Sequence, residues 1–313
     1  MRVLLVRLDG IGDAAVCAPL IAALREGGHD VGIASTTRNA GLFRPEMLLA
    51  EHVLERIAWP AHGSTADSTA RANAEIAAQR YDVALIASEE PEAYALAAPI
   101  RERVGFTTGW SRPFKTLWVR GRTTRTVRRS QHADAGSAHE VEVLYRLGTG
   151  LVRRDAPPAD VASLAPLFVA ASSRARAGIV LQAGPKWHAS GIADDDLRAL
   201  VARLQPRGLR VIAAPSDAAA AGESLGVVPQ TFVDLRGWVA AIDDAAALLT
   251  VDTGAAHVAG MLGLRIADIF PDEHFDVQVR RWRPWASPYL AVRASALRAG
   301  AAGARIEAFF DGT

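Results

Sequence analysis

Short runs of consecutive apolar residues alternate along the chain with stretches in which apolar residues recur every three or four positions. The first run, Arg2 to Leu8, reads as a buried strand, and Ile11 to Arg25 as a helix with one apolar face. A second strand, His29 to Ala34, leads into a helical stretch beginning near Arg38. Strands follow at His52 to Ile57 and Asp82 to Ala87, with a polar, Ala-rich helix between them. Apolar strands joined in this way by helices predict a parallel sheet covered on both faces.

From Gly105 to Gln131 the pattern loosens, and a helix from Gly136 to Leu147 closes the first half. The alternation restarts with strand Gly178 to Gln182, helix Asp194 to Leu204, strand Leu209 to Ala214 and helix Asp217 to Leu225. Helix Val239 to Ala246, strand Ala247 to Val251, helix Ala255 to Leu262 and a last strand, Arg265 to Phe270, complete it. Between the halves, RRDAPPAD (Arg153 to Asp160) reads as a linker, because paired prolines favour an extended spacer. The expectation is two Rossmann-like domains, 1–155 and 161–313, facing each other across a cleft, with the last helix placed to pack back on the first.

Length agrees with this division: 313 residues make two domains of about 150 each. A net charge of +1 lacks the strongly basic balance of a nucleic-acid-binding domain. The N-terminal apolar run is too short for a signal peptide or a membrane span, which predicts a soluble protein or one resting on a membrane surface. A single cysteine, Cys17, forms no internal disulfide and suits a reducing cytoplasm; its place in the first helix reads as a small buried hydrophobe.

Two turns carry candidate chemistry. In the second half, Asp252-Thr253-Gly254 ends a strand and opens a helix, so the amides of Thr253, Gly254 and Ala255 and one hydroxyl meet at a positive helix end suited to a diphosphate. An ordinary Asp or Thr N-cap explains the same residues without a ligand. In the first half, Gly10-Ile11-Gly12-Asp13-Ala14-Ala15 satisfies the dinucleotide fingerprint GxGxxA. The acid that fingerprint wants after the second strand is absent, where Ser35, Thr36, Thr37 and Arg38 stand. An NADP-binding oxidoreductase reading survives through Arg38, but Asp13 sits where the pyrophosphate would and repels it. A general base facing the cleft, or a helix-capping acid, accounts for Asp13 instead.

RLDGIGDAAVCAPLIAALRE resembles the N-terminal signature of glycosyltransferase family 9, the ADP-heptose:lipopolysaccharide heptosyltransferases, and VDTGAAHVAGMLGLRIADIF resembles its C-terminal one. HEVEVLYRLG, His139 to Gly148, is similar to the family's pre-linker helix. The resemblance implies a GT-B fold and inverting transfer of a heptose or related sugar from an ADP-sugar to a saccharide acceptor such as lipopolysaccharide inner core. It makes Asp13 the base, Thr253, Gly254 and Ala255 the diphosphate turn, Asp252 a neighbour of the donor sugar, and Asp217 the counterpart of a Glu near the ribose. The family's Lys-x-Trp-Pro segment is altered here to GPKWHASG, which leaves Lys186 as the phosphate-side cation and motivates a rival reading, a nucleotide-binding member without transfer activity.

Gly10 and Gly12 then bring backbone close to the acceptor, with Arg112 and Lys115 on the same side. The Arg- and Trp-rich stretch 110–129 suits an acidic acceptor, a phospholipid surface or a plain exposed loop. Asp194, Asp195 and Asp196 read as acids favouring a helix start rather than as a metal site, and Glu89, Glu90 and Glu92, which follow a strand, as a solvated helix start in preference to acids facing the cleft. His257 reads as structural, and His188 and His139 lack metal-ligand partners at useful spacing. No cofactor or metal is expected. The expected partners are the nucleotide-sugar donor and a saccharide or glycolipid acceptor, met by a cytoplasmic monomer or weak oligomer in peripheral contact with the inner membrane, and no nucleic acid.

Overall fold

The computed structural model describes residues 1–57, 63–129, 138–171, 175–298 and 300–312. The helix start at Gly136 and the end of the loosened stretch at Gln131 lie outside the described residues. The chain divides into two compact units, Met1–Pro158 and Ala159–Thr313.

The first unit is a six-stranded, all-parallel sheet in the order β3-β2-β1-β4-β5-β6. Its strands are β1 (Arg2–Val6), β2 (Asp30–Thr36), β3 (Glu51–Leu54), β4 (Val83–Ile86), β5 (Glu102–Thr107) and β6 (Arg125–Arg128). Central β1 and β4 are almost wholly buried, as strands covered on both faces must be. Strand order reverses between β1 and β4, and ligands of such sheets bind at that crevice, beyond the carboxyl ends of the strands.

The helix expected over Ile11 to Arg25 is two, Ile11–Ala15 and Ala18–Glu26. Pro19 lacks the amide that would bond back across the junction, so the first helix stops and a second begins around it. The helical stretch expected near Arg38 is a turn followed by a short 3-10 segment, Pro45–Met47. Asn39 accounts for this: its Oδ1 accepts from the Thr36 amide (2.8 Å), its Nδ2 donates to the Arg7 carbonyl (3.1 Å), and Gly41 takes φ +73°. The loosened stretch contains regular structure: β5, helix Pro113–Arg120 and β6.

The second unit holds a five-stranded parallel sheet in the order β11-β10-β9-β7-β8. Its strands are β7 (Ile179–Gln182), β8 (Leu209–Ile212), β9 (Ala247–Val251), β10 (Arg265–Phe270) and β11 (Tyr289–Arg293). The order reverses between β7 and β9. Strand β10 is not the last, since β11 pairs with it in register from Ile266 opposite Tyr289 to Phe270 opposite Arg293.

The terminal helix, Ala302–Phe310, packs on β10 and β11 and is tied by Glu307 to Arg203 and Arg207, all within the second unit. Helix Gly254–Leu262 lies so close to the backbone at Trp285 that a Cβ on Gly260 would stand 2.8 Å from its carbonyl oxygen, so only glycine fits there. Among the described residues no helix is long and apolar enough to cross a membrane.

Candidate functional site

In the first unit, Asp13 stands in the opening turn of helix Ile11–Ala15, straight after β1 and therefore beside the β1/β4 reversal. Its Oδ1 accepts from Arg7 Nη2 at 2.5 Å. Arg7 is buried, donates through Nη1 to the Ala87 carbonyl, and lies with Nε 3.2 Å from Asp9 Oδ2. Ser88 Oγ donates to the same Asp9 oxygen (2.6 Å) and accepts from the Leu8 amide (2.7 Å). Burial works against the Arg7 charge, yet Cys17, Asp9, Asp13 and Glu140 outweigh it and hold the guanidinium pKa above its ordinary value.

Arg7 thus grips one oxygen of Asp13. The other accepts no hydrogen bond from the described residues, and 35% of the side chain is exposed. A Cβ on Gly10 would stand 3.6 Å from that second oxygen, so a long side chain at position 10 would cover it. Burial pushes the Cys17 thiol up to about 12, and its Sγ donates to the Asp13 carbonyl, so it is protonated at neutral pH and no nucleophile.

Around the same sheet edge, the three glutamates expected as a solvated helix start are held in ion pairs. Glu89 meets Lys115 and Arg129, while Glu90 and Glu92 meet Arg56. Arg129 also pairs with the buried Glu140 at 2.6 Å. His139 caps the helix that Glu140 opens, its Nδ1 accepting from the Val141 amide. Lys115 is therefore engaged, and Arg112 is exposed at the head of helix Pro113–Arg120.

In the second unit, Lys186 follows β7 and the Asp252–Ala255 turn follows β9, the two strands at which order reverses. Lys186 Nζ donates to the Asp252 carbonyl and lies 3.2 Å from Asp252 Oδ2. Its neighbour Trp187 is buried and donates to the Gln182 carbonyl (2.7 Å), which anchors the segment and leaves Lys186 half exposed. Thr253 does not cap its helix. Its hydroxyl shares a 2.9 Å hydrogen bond with that of Thr250, so the amides opening helix Gly254–Leu262 have no side-chain cap.

Asp217 stands at the N-cap position of a helix without capping it through its side chain. It precedes helix Ala218–Leu225, accepts from Ser216 Oγ (3.0 Å) and, with Gly184, His188 and Ser224, rims a cavity of about 150 Å³ at the ends of β7 and β8. Asp194 accepts from Ser224 and faces His188 at 3.4 Å, while Asp195 pairs with Arg198. His257 is buried against Trp282. Among the described residues no group of three His, Cys, Asp or Glu side chains is arranged to hold a metal ion.

Sequence reasoning passed over Arg7, which holds Asp13, as well as Asp9 and Ser88 behind it, and Asp268 in the second unit. Asp268 lies in β10, in register with Thr250, fully buried, and neither carboxyl oxygen has a hydrogen-bond partner among the described residues. Burial, with Asp252 nearby and Lys186 only partly opposing, holds its pKa well above the ordinary carboxylate range, so it is a neutral acid. Arg7 and Asp268 share a signal in the sequence: each interrupts or ends an otherwise apolar strand.

No family model and no curated protein matches the chain. Solved structures do. The E. coli heptosyltransferase WaaC with ADP is similar at 18% identity and a TM-score of 0.71, over 99% of this chain and 100% of that one. E. coli ADP-heptose lps heptosyltransferase II is similar at 14% identity and a TM-score of 0.68, over 99% and 98%. A glycosyl transferase family 9 structure from Veillonella parvula is similar at 14% and 0.70, over 98% and 89%. In fold, the chain is a two-domain GT-B protein of the kind seen in the solved glycosyltransferases of family 9.

Proposed function

We propose that the protein is an inverting glycosyltransferase that moves a heptose, or a related sugar, from an ADP-sugar to a saccharide or glycolipid acceptor. The observation that carries the reading is that Lys186 Nζ meets the Asp252–Ala255 turn at the strand reversal of the second sheet. A cation beside uncapped helix amides is a site for a leaving diphosphate. The full-length likeness to WaaC with ADP supports an adenine nucleotide there. Two carboxylates, Asp9 and Asp13, crowd the first-unit glycine turn and disfavour a dinucleotide pyrophosphate at that place.

In this reading the acceptor hydroxyl gives its proton to the open oxygen of Asp13 while its own oxygen attacks the anomeric carbon. The bond from that carbon to the β-phosphate oxygen breaks, its electron pair leaves with ADP, and a single displacement inverts the centre. Lys186 and the Thr253, Gly254 and Ala255 amides take up the charge on the departing diphosphate, and Asp217 lies on the ribose side. Arg7 keeps Asp13 in place, and Arg112 and Lys115 stand on the acceptor side with Gly10 and Gly12. The acceptor consistent with the resemblance is lipopolysaccharide inner core, reached from the cytoplasmic face of the inner membrane.

The test is ADP release from ADP-heptose with and without heptose-free lipopolysaccharide core. Release that rises with acceptor is expected. Equal release in both samples would mean hydrolysis, and ADP binding without release would mean a nucleotide-binding protein with no transferase activity.

A further inference from the structure

Helix Pro113–Arg120 turns Thr116 and Val119 into the first unit, and Trp118 packs edge-on against Tyr94 with ring centres 4.9 Å apart. That satisfies one face. The opposite face carries Phe114 and Leu117, 87% and 65% exposed, and the preceding 3-10 turn adds Trp110 at 92%. Phe114 and Leu117, three apart, share one side of the helix, and Trp110 stands exposed in the turn that leads into it. Single exposed apolar residues are ordinary, but three large ones together mark an interaction surface.

The charge along this segment of chain is of one sign. Residues 103–129 contain eight Lys or Arg and no Asp or Glu, in a chain whose net charge is only +1. Arg112, Arg120 and Arg128 are exposed and form no ion pair among the described residues. Arg128 lies alongside Gly109, next to Trp110, with its Nε 3.7 Å from where a Cβ on that glycine would stand. Apolar side chains set among unpaired arginines complement one partner chemistry well: an anionic bilayer, where the apolar groups enter the headgroup boundary and the guanidiniums meet phosphates.

We infer that Trp110, Phe114 and Leu117, with Arg112, Arg120 and Arg128 around them, form the face by which this protein docks on an anionic phospholipid membrane. Trp110 follows β5 at the same sheet edge where Asp13 follows β1, and Lys115 bonded to Glu89 ties the helix to the end of β4. Docking at that edge presents the Asp13 turn to a lipid-borne acceptor; this consequence rests on the proposed function, whereas the docking itself does not.

The experiment is sedimentation of the full chain with vesicles of phosphatidylethanolamine and phosphatidylglycerol, against vesicles of phosphatidylcholine alone, at low and high salt. Binding to the anionic vesicles, weakened by salt, is expected. W110A/F114A/L117A should weaken it more than about tenfold. R120Q/R128Q should weaken it about 30-fold and remove most of the lipid preference. All five side chains are exposed, and unchanged circular dichroism checks that the variants fold. No binding to anionic vesicles at low salt, or binding untouched by both sets of substitutions, overturns the inference. So does a lipid-free dimer that F114A/L117A dissolves, which would make a second copy the occupant. Because nothing here is read from sugar transfer, an inactive protein that binds vesicles would leave docking standing and sink only the transferase reading.

Discussion

Asp13→Asn is expected to bind ADP as the wild type does and to lose transfer by about 10²–10⁴-fold, the range a general base contributes. The substitution keeps the size of the side chain and an oxygen able to accept from Arg7 Nη2, now at 2.5 Å from Asp13 Oδ1. It removes the basic oxygen that faces away from Arg7. The ADP site proposed at Lys186, Thr253, Gly254 and Ala255 belongs to the other unit and is untouched. Binding by calorimetry and transfer by ADP release therefore separate. A variant that transfers normally would falsify the assignment of Asp13 as the base. A variant that also loses ADP binding would show a wider disturbance than loss of a base.

Asp268→Leu is expected to stabilise the protein by about 1–3 kcal/mol at neutral pH, the usual penalty of a buried polar group left without a partner. Leucine repeats the branching of aspartate with methyls in place of the two oxygens, so the site at the centre of β10 stays filled. The gain depends on pH. In the unfolded chain the carboxyl ionises above its ordinary value of 3.8, whereas burial keeps it protonated in the folded one.

Folding therefore takes up a proton above about pH 4, and this group makes the wild type less stable as pH rises towards the raised folded value. Below the unfolded value both states hold the proton and that component vanishes. Denaturation midpoints of the two proteins should diverge as pH rises above about 4. Parallel curves, or a less stable variant, would mean that Asp268 finds polar partners in the folded protein.

The central parts of the fold are legible in the sequence because they are buried on both sides. Strands β9 and β10 and helix Asp194–Leu204 match their apolar patterns residue for residue. Strand β6 escapes such reading because it lies at a sheet edge and is half exposed, so RTVR shows no apolar run; β11 is an edge strand too, and its short run YLAV is only partly buried. The break at Pro19 lies within a continuous helical periodicity, which registers side chains and not the missing amide.

At the site, glycine turns and helix starts are sequence-local, so Asp13 and the Asp252–Ala255 turn can be picked out by eye. Their partners are not local. Ala87 and Ser88, which meet Arg7 and Asp9, are about 80 residues away along the chain and arrive only through the pairing of β1 with β4. Lys186 and Asp252 meet in the same way through β7 and β9.

The most direct measurement is a thermal-shift titration of the wild-type protein with ADP and, separately, with NADP. A ligand at a hundred times its dissociation constant adds about 2.7 kcal/mol, a rise of roughly 5–10 °C for a domain of about 150 residues. Stabilisation by ADP and none by NADP is the expected result, since the diphosphate is assigned to the Asp252–Ala255 turn with Lys186 and two carboxylates flank the Gly10–Gly12 turn. Stabilisation by NADP with no response to ADP would contradict it and return the glycine turn to a dinucleotide.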